Sequence, residues 1–182
     1  MVIITQNQHK LTEVRPLFEN HGIKLETSPL EKLEVRSDDV VVVALEAAKA
    51  AYKAIKRPLV VDDTGLYISA LNDFPGAYAA FVQKTIGNKG ILRLLENVTD
   101  RRASFITAVA YSDGRHLEAF VGEMPGHIAL IAVGEEGFGY DPIFVCEGET
   151  RTYAEMSFSE KVAVSHRTRA FSSFLEWYDG LR

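Results

Sequence analysis

A chain of 182 residues is long enough for one domain with a sizeable core, or for two lobes that share one. It is 47% apolar and 25% charged, as globular proteins are, and its net charge of −5 excludes a surface that coats DNA or RNA while leaving room for a local anion pocket. The single cysteine, Cys146, excludes an intrachain disulfide or a cysteine metal cluster, and no apolar run approaches the roughly 18 residues of a membrane helix. Val2 to Thr5 reads as a buried strand directly after Met1, with no visible signal peptide, so the expectation is a cytoplasmic chain without a membrane partner. Gln8 to Glu19 reads as a helix with Leu11, Val14, Leu17 and Phe18 on one face, against which Pro16 counts unless it kinks the helix. Lys24 to Thr27 is a short strand. Asp38 or Asp39 caps a helix to about Lys56, with Val41, Leu45, Ala48, Tyr52 and Ile55 inward. Leu59 to Val61 is a second buried strand. Asn88 to Glu96 is a helix with Ile91, Leu94 and Leu95 inward. Ala103 to Tyr111 and His116 to Gly122 form a hairpin around Asp113-Gly114. His127 to Val133 and Ile143 to Val145 are further strands. Ser157-x-x-Glu160 is a capping box before a last helix that buries Ala170, Phe174 and Trp177. Alternating elements followed by a meander give a mixed α/β fold rather than a regular doubly wound one.

Four islands carry chemistry. In Thr5-Gln-Asn-Gln-His-Lys10 a strand turns into a helix, where backbone N–H groups, Asn7 and Lys10 favour an anion; there is no Walker A glycine framework. Asp62-Asp63-Thr64-Gly65 places two carboxylates at the end of an apolar strand, which suits a hard cation such as Mg²⁺ or a simple Asx turn. Adjacent side chains on a strand point opposite ways, so one Asp is expected to face the ligand. Gly137-Phe138-Gly139-Tyr140-Asp141-Pro142 combines aromatic faces with flexible backbone, a pocket for a flat polar ring. Lys161 and Ser165 are four apart, placing them on one helix face, with His166 and Arg167 beside them.

Taken together, the islands resemble the inosine triphosphate pyrophosphatase (Ham1-like) family over almost the whole chain. The matching motifs are Thr5-x-Asn7-x-x-Lys10, Asp62-Asp63-Thr64-Gly65-Leu66, Pro75-Gly76-Ala77-Tyr78, Phe138-Gly139-Tyr140-Asp141-Pro142, and Lys161 with Ser165-His166-Arg167. The resemblance implies one domain over 1–182, an elongated mixed sheet flanked by helices in two lobes, a site in the central cleft, and a homodimer. It implies Mg²⁺-dependent hydrolysis of a purine nucleoside triphosphate (ITP, dITP or XTP) to the monophosphate and pyrophosphate, with no nucleic-acid polymer as partner. By resemblance Asn7 and Lys10 hold the substrate's phosphates, Thr5 and Thr64 also bind substrate, Asp63 binds metal and activates or positions water, and Glu34 is a second metal carboxylate. Phe138 stacks on the purine; Gly139, Tyr140, Asp141, His166 and Arg167 line it, and Lys161 serves base or phosphate. Gln6, His9 and Val43 depart from the pattern, where the family has Gly, a small residue or Lys, and a polar residue; Lys49 or Lys84 could substitute for the last. A related Maf-like pyrophosphatase, or nucleotide binding without turnover, are the alternative readings.

Overall fold

The computed structural model describes residues 1–182. A short strand β1 (Val2–Ile3) leads into helix α1 (Gln8–Asn20), then β2 (Glu26–Thr27), α2 (Val40–Ile55) and the long β3 (Leu59–Ile68). After β4 (Pro75–Gly76) come helices α3 (Ala79–Thr85) and α4 (Gly87–Leu94), and then the hairpin of β5 (Arg102–Ser112) and β6 (Leu117–Ile128). Strand β7 (Phe144–Cys146), α5 (Phe158–Ala163) and α6 (His166–Leu181) complete the chain. The strands form one mixed sheet in the order β2-β1-β3-β5-β6-β7, with β4 added to β3. The pairs β1–β2 and β1–β3 are parallel and the rest antiparallel.

Helices flank this sheet. One face of its N-terminal half packs on α2, through Val40, Ala44, Ala47, Ala48 and Ala51. The other packs on α1 and α6, through Leu11, Val14 and Phe18 meeting Phe171, Phe174 and Leu175. A third cluster joins the far end of β3, β5 and β6 to α3, α4 and the 140–156 segment. Trp177 is only partly buried against the second cluster.

Several expectations need correction. Of the expected inward residues of α2 only Ala48 is fully buried, alongside Val40, Val43, Ala44, Ala47 and Ala51, while Val41, Leu45, Tyr52 and Ile55 are half-buried at the flank. Small side chains let the helix backbone lie close to the sheet, so the largest apolar residues end up beside the contact. Pro16 is accommodated on the exposed side of α1, where water can replace the hydrogen bond its missing N–H would have made. The expected 88–96 helix is α4, which ends at Leu94, and an unexpected helix, α3, precedes it; Leu94 is exposed while Ile91 and Leu95 are buried. No strand covers 127–133: β6 stops at Ile128, and Leu130 and Ile131 are exposed. Arg101 ends the ladder by donating to the carbonyls of Ile128 at 2.7 Å and Ala129 at 2.6 Å. The Ser157–Glu160 capping box is present but heads α5, and Ser165 separately caps α6. Lys161 and Ser165 therefore lie on different segments, not on one helix face.

Candidate active site

Strand β3 does not end at Val61. The ladder with β5 runs without a break from Leu59 to Ile68, so Asp62 and Asp63 sit in mid-strand. On its other side β3 meets β1 only at Leu59 and Val60, and β4 only at Leu66 and Tyr67. Residues 61–65 thus present an unpaired edge, and the cavity opens against it. Side chains from both faces of a strand can reach its edge, which is how two adjacent carboxylates line one space. Gly65 permits the approach of β4, since a Cβ there would lie 2.8 Å from the Gly76 carbonyl oxygen.

The cavity measures about 840 Å³, and every residue assigned above to substrate, metal or catalysis lines it. At one end Thr5 Oγ1 accepts from the Asn7 amide, and Asn7 Oδ1 caps α1 by accepting from the Lys10 amide at 3.2 Å. Lys10 Nζ reaches Asp62 Oδ2 at 2.7 Å. Burial pulls the Lys10 ammonium below its ordinary value, against the pull of Asp62. Burial raises the Asp62 carboxyl, but Lys10 and Arg167 more than reverse this, leaving it below the usual aspartate value.

At the other end Lys161 and Arg167 are buried, not solvated, and a residue that periodicity overlooked joins them. Glu13 accepts from Lys161 Nζ at 2.9 Å through Oε1 and from Arg167 Nη1 through Oε2. Burial raises the Glu13 carboxyl, and the two cations bring it down below its ordinary value. Lys161 also donates to Asp141 Oδ2 at 2.7 Å, which accepts the Phe138 amide at 2.7 Å as well. The Asp141 carboxyl is raised, because burial outweighs Lys161. Lys161 Nζ lies 4.6 Å from the Phe138 ring centre. Arg167 spreads its fork over Glu13, Asp62 (3.5 Å) and Thr64 (3.3 Å). The Thr64 and Thr107 hydroxyls lie 2.7 Å apart, and Thr107 Oγ1 lies 2.7 Å from His166 Nδ1. Burial, then the charges of Arg167, Lys161 and Lys10, hold His166 well below its usual value, so the imidazole is neutral. Gly122 lets α6 start so close to the sheet: a Cβ there would lie 2.1 Å from the His166 carbonyl oxygen. Tyr140 is buried and donates its hydroxyl to the Ala79 carbonyl at 2.8 Å.

Asp63 faces Lys32, a second residue the sequence did not single out. Lys32 Nζ contacts Asp63 Oδ1 and lies 3.5 Å from Glu34 Oε1. Burial raises the Asp63 carboxyl above its ordinary value despite Lys32, whose own charge is favoured by Asp63 over the effect of burial. The Glu34 side chain is 72% exposed and reaches Lys32, not Asp63. Asp63 and Glu34 already share the charge of Lys32, and Asp62 Oδ1 and Asp63 Oδ2 are buried without a protein partner. Such a donor set fits a hard cation that takes its remaining ligands from water and phosphate oxygens. Of the departures, His9 stacks on Phe138 with ring centres 5.0 Å apart, Gln6 is exposed, and Val43 lines the cavity. Lys84 lines it too, whereas Lys49 pairs with Glu46 at 3.3 Å.

A family model described as the Ham1 family matches residues 1–177. A dITP/XTP pyrophosphatase of Saccharolobus solfataricus is 47% identical over 97% of this chain and 92% of its own length. One of Pyrobaculum aerophilum is 49% identical over 96% and 94%. Among solved structures, the Ham1 protein of Staphylococcus aureus superposes with a TM-score of 0.87 at 30% identity, covering 100% of this chain and 99% of that one. A HAM1 protein from Coxiella burnetii gives 0.89 at 30% identity over 98% of both chains.

Proposed function

The chain belongs to the Ham1 family, and from that premise we propose that it is a nucleoside triphosphate pyrophosphatase acting on non-canonical purine nucleotides. ITP, dITP or XTP and water give the nucleoside monophosphate and pyrophosphate. One observation carries the reading: a single cavity joins an aromatic, hydrogen-bonding end around Phe138, Lys161 and Arg167 to an end with paired carboxylates and Lys10. The relatives named dITP/XTP pyrophosphatase support it.

In this reading the purine stacks on Phe138, in reach of Tyr140, Asp141, His166 and Arg167. Neutral His166 and the Arg167 fork offer hydrogen-bond partners fixed by Thr107, Thr64 and Glu13. A donor facing the 6-oxo group meets another donor in adenine, which disfavours it. Thr5 and Asn7 shape the turn that presents the first amides of α1 to phosphate, and Lys10 adds a full charge. Asp63, with its carboxyl raised by burial, orients the attacking water and accepts its proton. Mg²⁺ would be held by Asp63 and Glu34, where it would neutralise charge on the phosphates and the departing pyrophosphate. The resemblance adds one domain of two lobes, a homodimer and a cytoplasmic location to the proposal.

Pyrophosphate release from ITP, XTP, ATP and GTP at matched concentrations, with and without Mg²⁺, tests it. Release from ITP and XTP far above ATP and GTP, and only with metal, is the expected result. Tight ITP binding without release would replace this reading with nucleotide binding alone.

A further inference from the structure

One contact near the base end plays no part in the chemistry above. Gln83, on α3, donates its Nε2 to the Gly139 carbonyl at 2.8 Å. Asn88, on α4, donates its Nδ2 to the same oxygen at 3.0 Å. A carbonyl accepts only N–H, so both side-chain amides are fixed in orientation. The opposite end of each is then committed: Gln83 Oε1 and Asn88 Oδ1 are buried without a partner. A buried acceptor with no donor destabilises a fold. The pair does secure one thing, the Gly139 carbonyl, in the turn that carries Phe138, Tyr140 and Asp141. The neighbours have their own anchors, the Phe138 amide on Asp141 and the Tyr140 hydroxyl on Ala79. Gly139 lines the cavity, has φ +64°, and has no side chain to hold its peptide.

We propose that Gln83 and Asn88 are positioning residues for base selection, acting by sequestering the Gly139 carbonyl from the purine. The proposal rests on the reading of the cavity as a purine nucleotide site. Both lone pairs of that oxygen are engaged by amide donors, so it is no acceptor for an incoming base. Guanine carries an exocyclic amino group at C2, a donor that would gain from a free carbonyl in this turn; hypoxanthine and xanthine carry none. Denying that acceptor disfavours guanine, whose 6-oxo group otherwise matches that of hypoxanthine.

The variants Gln83→Met and Asn88→Leu each remove one donor and one orphaned acceptor. The ratio of kcat/KM for ITP to that for GTP should fall about fivefold in each, the worth of one neutral hydrogen bond. Inhibition by inorganic triphosphate, which has no base, should keep its Ki, and the Tm should stay level or rise. A brace serving only the fold would instead lower the Tm with the selectivity ratios intact, and that result overturns the proposal. If Gln83→Met fails to fold, Asn88→Leu decides alone. Should the unaltered chain release no pyrophosphate, equilibrium binding of ITP, GTP and inorganic triphosphate to the same proteins takes the place of turnover. Reduced ITP-over-GTP preference in the variants then upholds the clamp while the hydrolytic reading falls. No binding of ITP by the unaltered chain overturns both.

Discussion

Asp63, which lines the cavity, and Glu13, which pairs with two of its lining cations, are both buried carboxylates, and they are treated oppositely. Glu13 has both oxygens engaged, one by Lys161 and one by Arg167. Asp63 gives one oxygen to Lys32 and leaves the other buried without a partner. The first arrangement belongs to an end of the cleft whose geometry is complete before any ligand arrives. The second belongs to an end that stays short of positive charge until a cation brings it. Low local dielectric makes the difference matter, since it strengthens a satisfied pair and penalises an unsatisfied acceptor. Preorganisation at the base end suits selection; incompleteness at the carboxylate end suits binding and reaction.

Four experiments can break or sharpen that contrast. The largest effect is expected at the open end: Asp63→Asn should lower pyrophosphate release from ITP by about 10²- to 10⁴-fold, as loss of a general base does. A rate within tenfold of the unaltered chain would remove Asp63 from the reaction. At the closed end the damage should appear as stability. Glu13→Gln leaves two buried cations half-paired, worth about 3 kcal/mol and thus a fall of roughly 6–12 °C in Tm. A thermal melt that moves by less than 2 °C or so would show that the network is not closed in solution.

The same variant carries a pH signature. Glu13 and Asp62 are held below their ordinary values of 4.5 and 3.8, so in acid the unfolded chain takes up protons before the folded one does. Their contribution to stability is complete above those values and is lost as pH falls toward the lower folded ones. Melts between pH 6 and 3 should therefore fall less steeply for Glu13→Gln than for the unaltered chain. Next in size, Glu34→Gln should raise the Mg²⁺ concentration for half-maximal rate about tenfold. The smallest effect is expected at Lys32, which holds the place of a cation. Lys32→Met should lower that Mg²⁺ concentration about threefold. It should also move the acid limb of kcat/KM upward, because the Lys32 charge is what draws the Asp63 carboxyl down. A downward movement would mean that Asp63 does not set that limb.

The islands were legible because each is local. Asn7 caps α1, Ser165 caps α6, and the 137–142 turn holds its own carboxylate, all through contacts within a few residues. The end of β3 was not legible. Asp62-Asp63 after an apolar run reads as a strand terminus, yet a strand stops where its partner does, and β5 accompanies this one to Ile68. The inward face of α2 was misjudged for a related reason: size drew attention to Tyr52 and Ile55, but closeness to the sheet favours alanine. The burial and pairing of Lys161 and Arg167 were not legible, since their partners Glu13, Asp62 and Asp141 lie 20 or more positions away in the chain.

By itself the sequence determined the mixed α/β class, the motifs, and the residues that meet in one cavity. Local capping, strand propensity and residue chemistry act over a few positions and leave their marks in the chain. Tertiary structure alone decided which charges pair. Glu13 lies 148 and 154 positions from the cations it joins, and Gln83 and Asn88 lie 56 and 51 from the carbonyl they share. An ion pair or a shared acceptor is set by distance in space, and periodicity carries no record of it. The unpaired edge at residues 61–65 is likewise defined by where β1 stops and β4 begins, which only the assembled sheet determines.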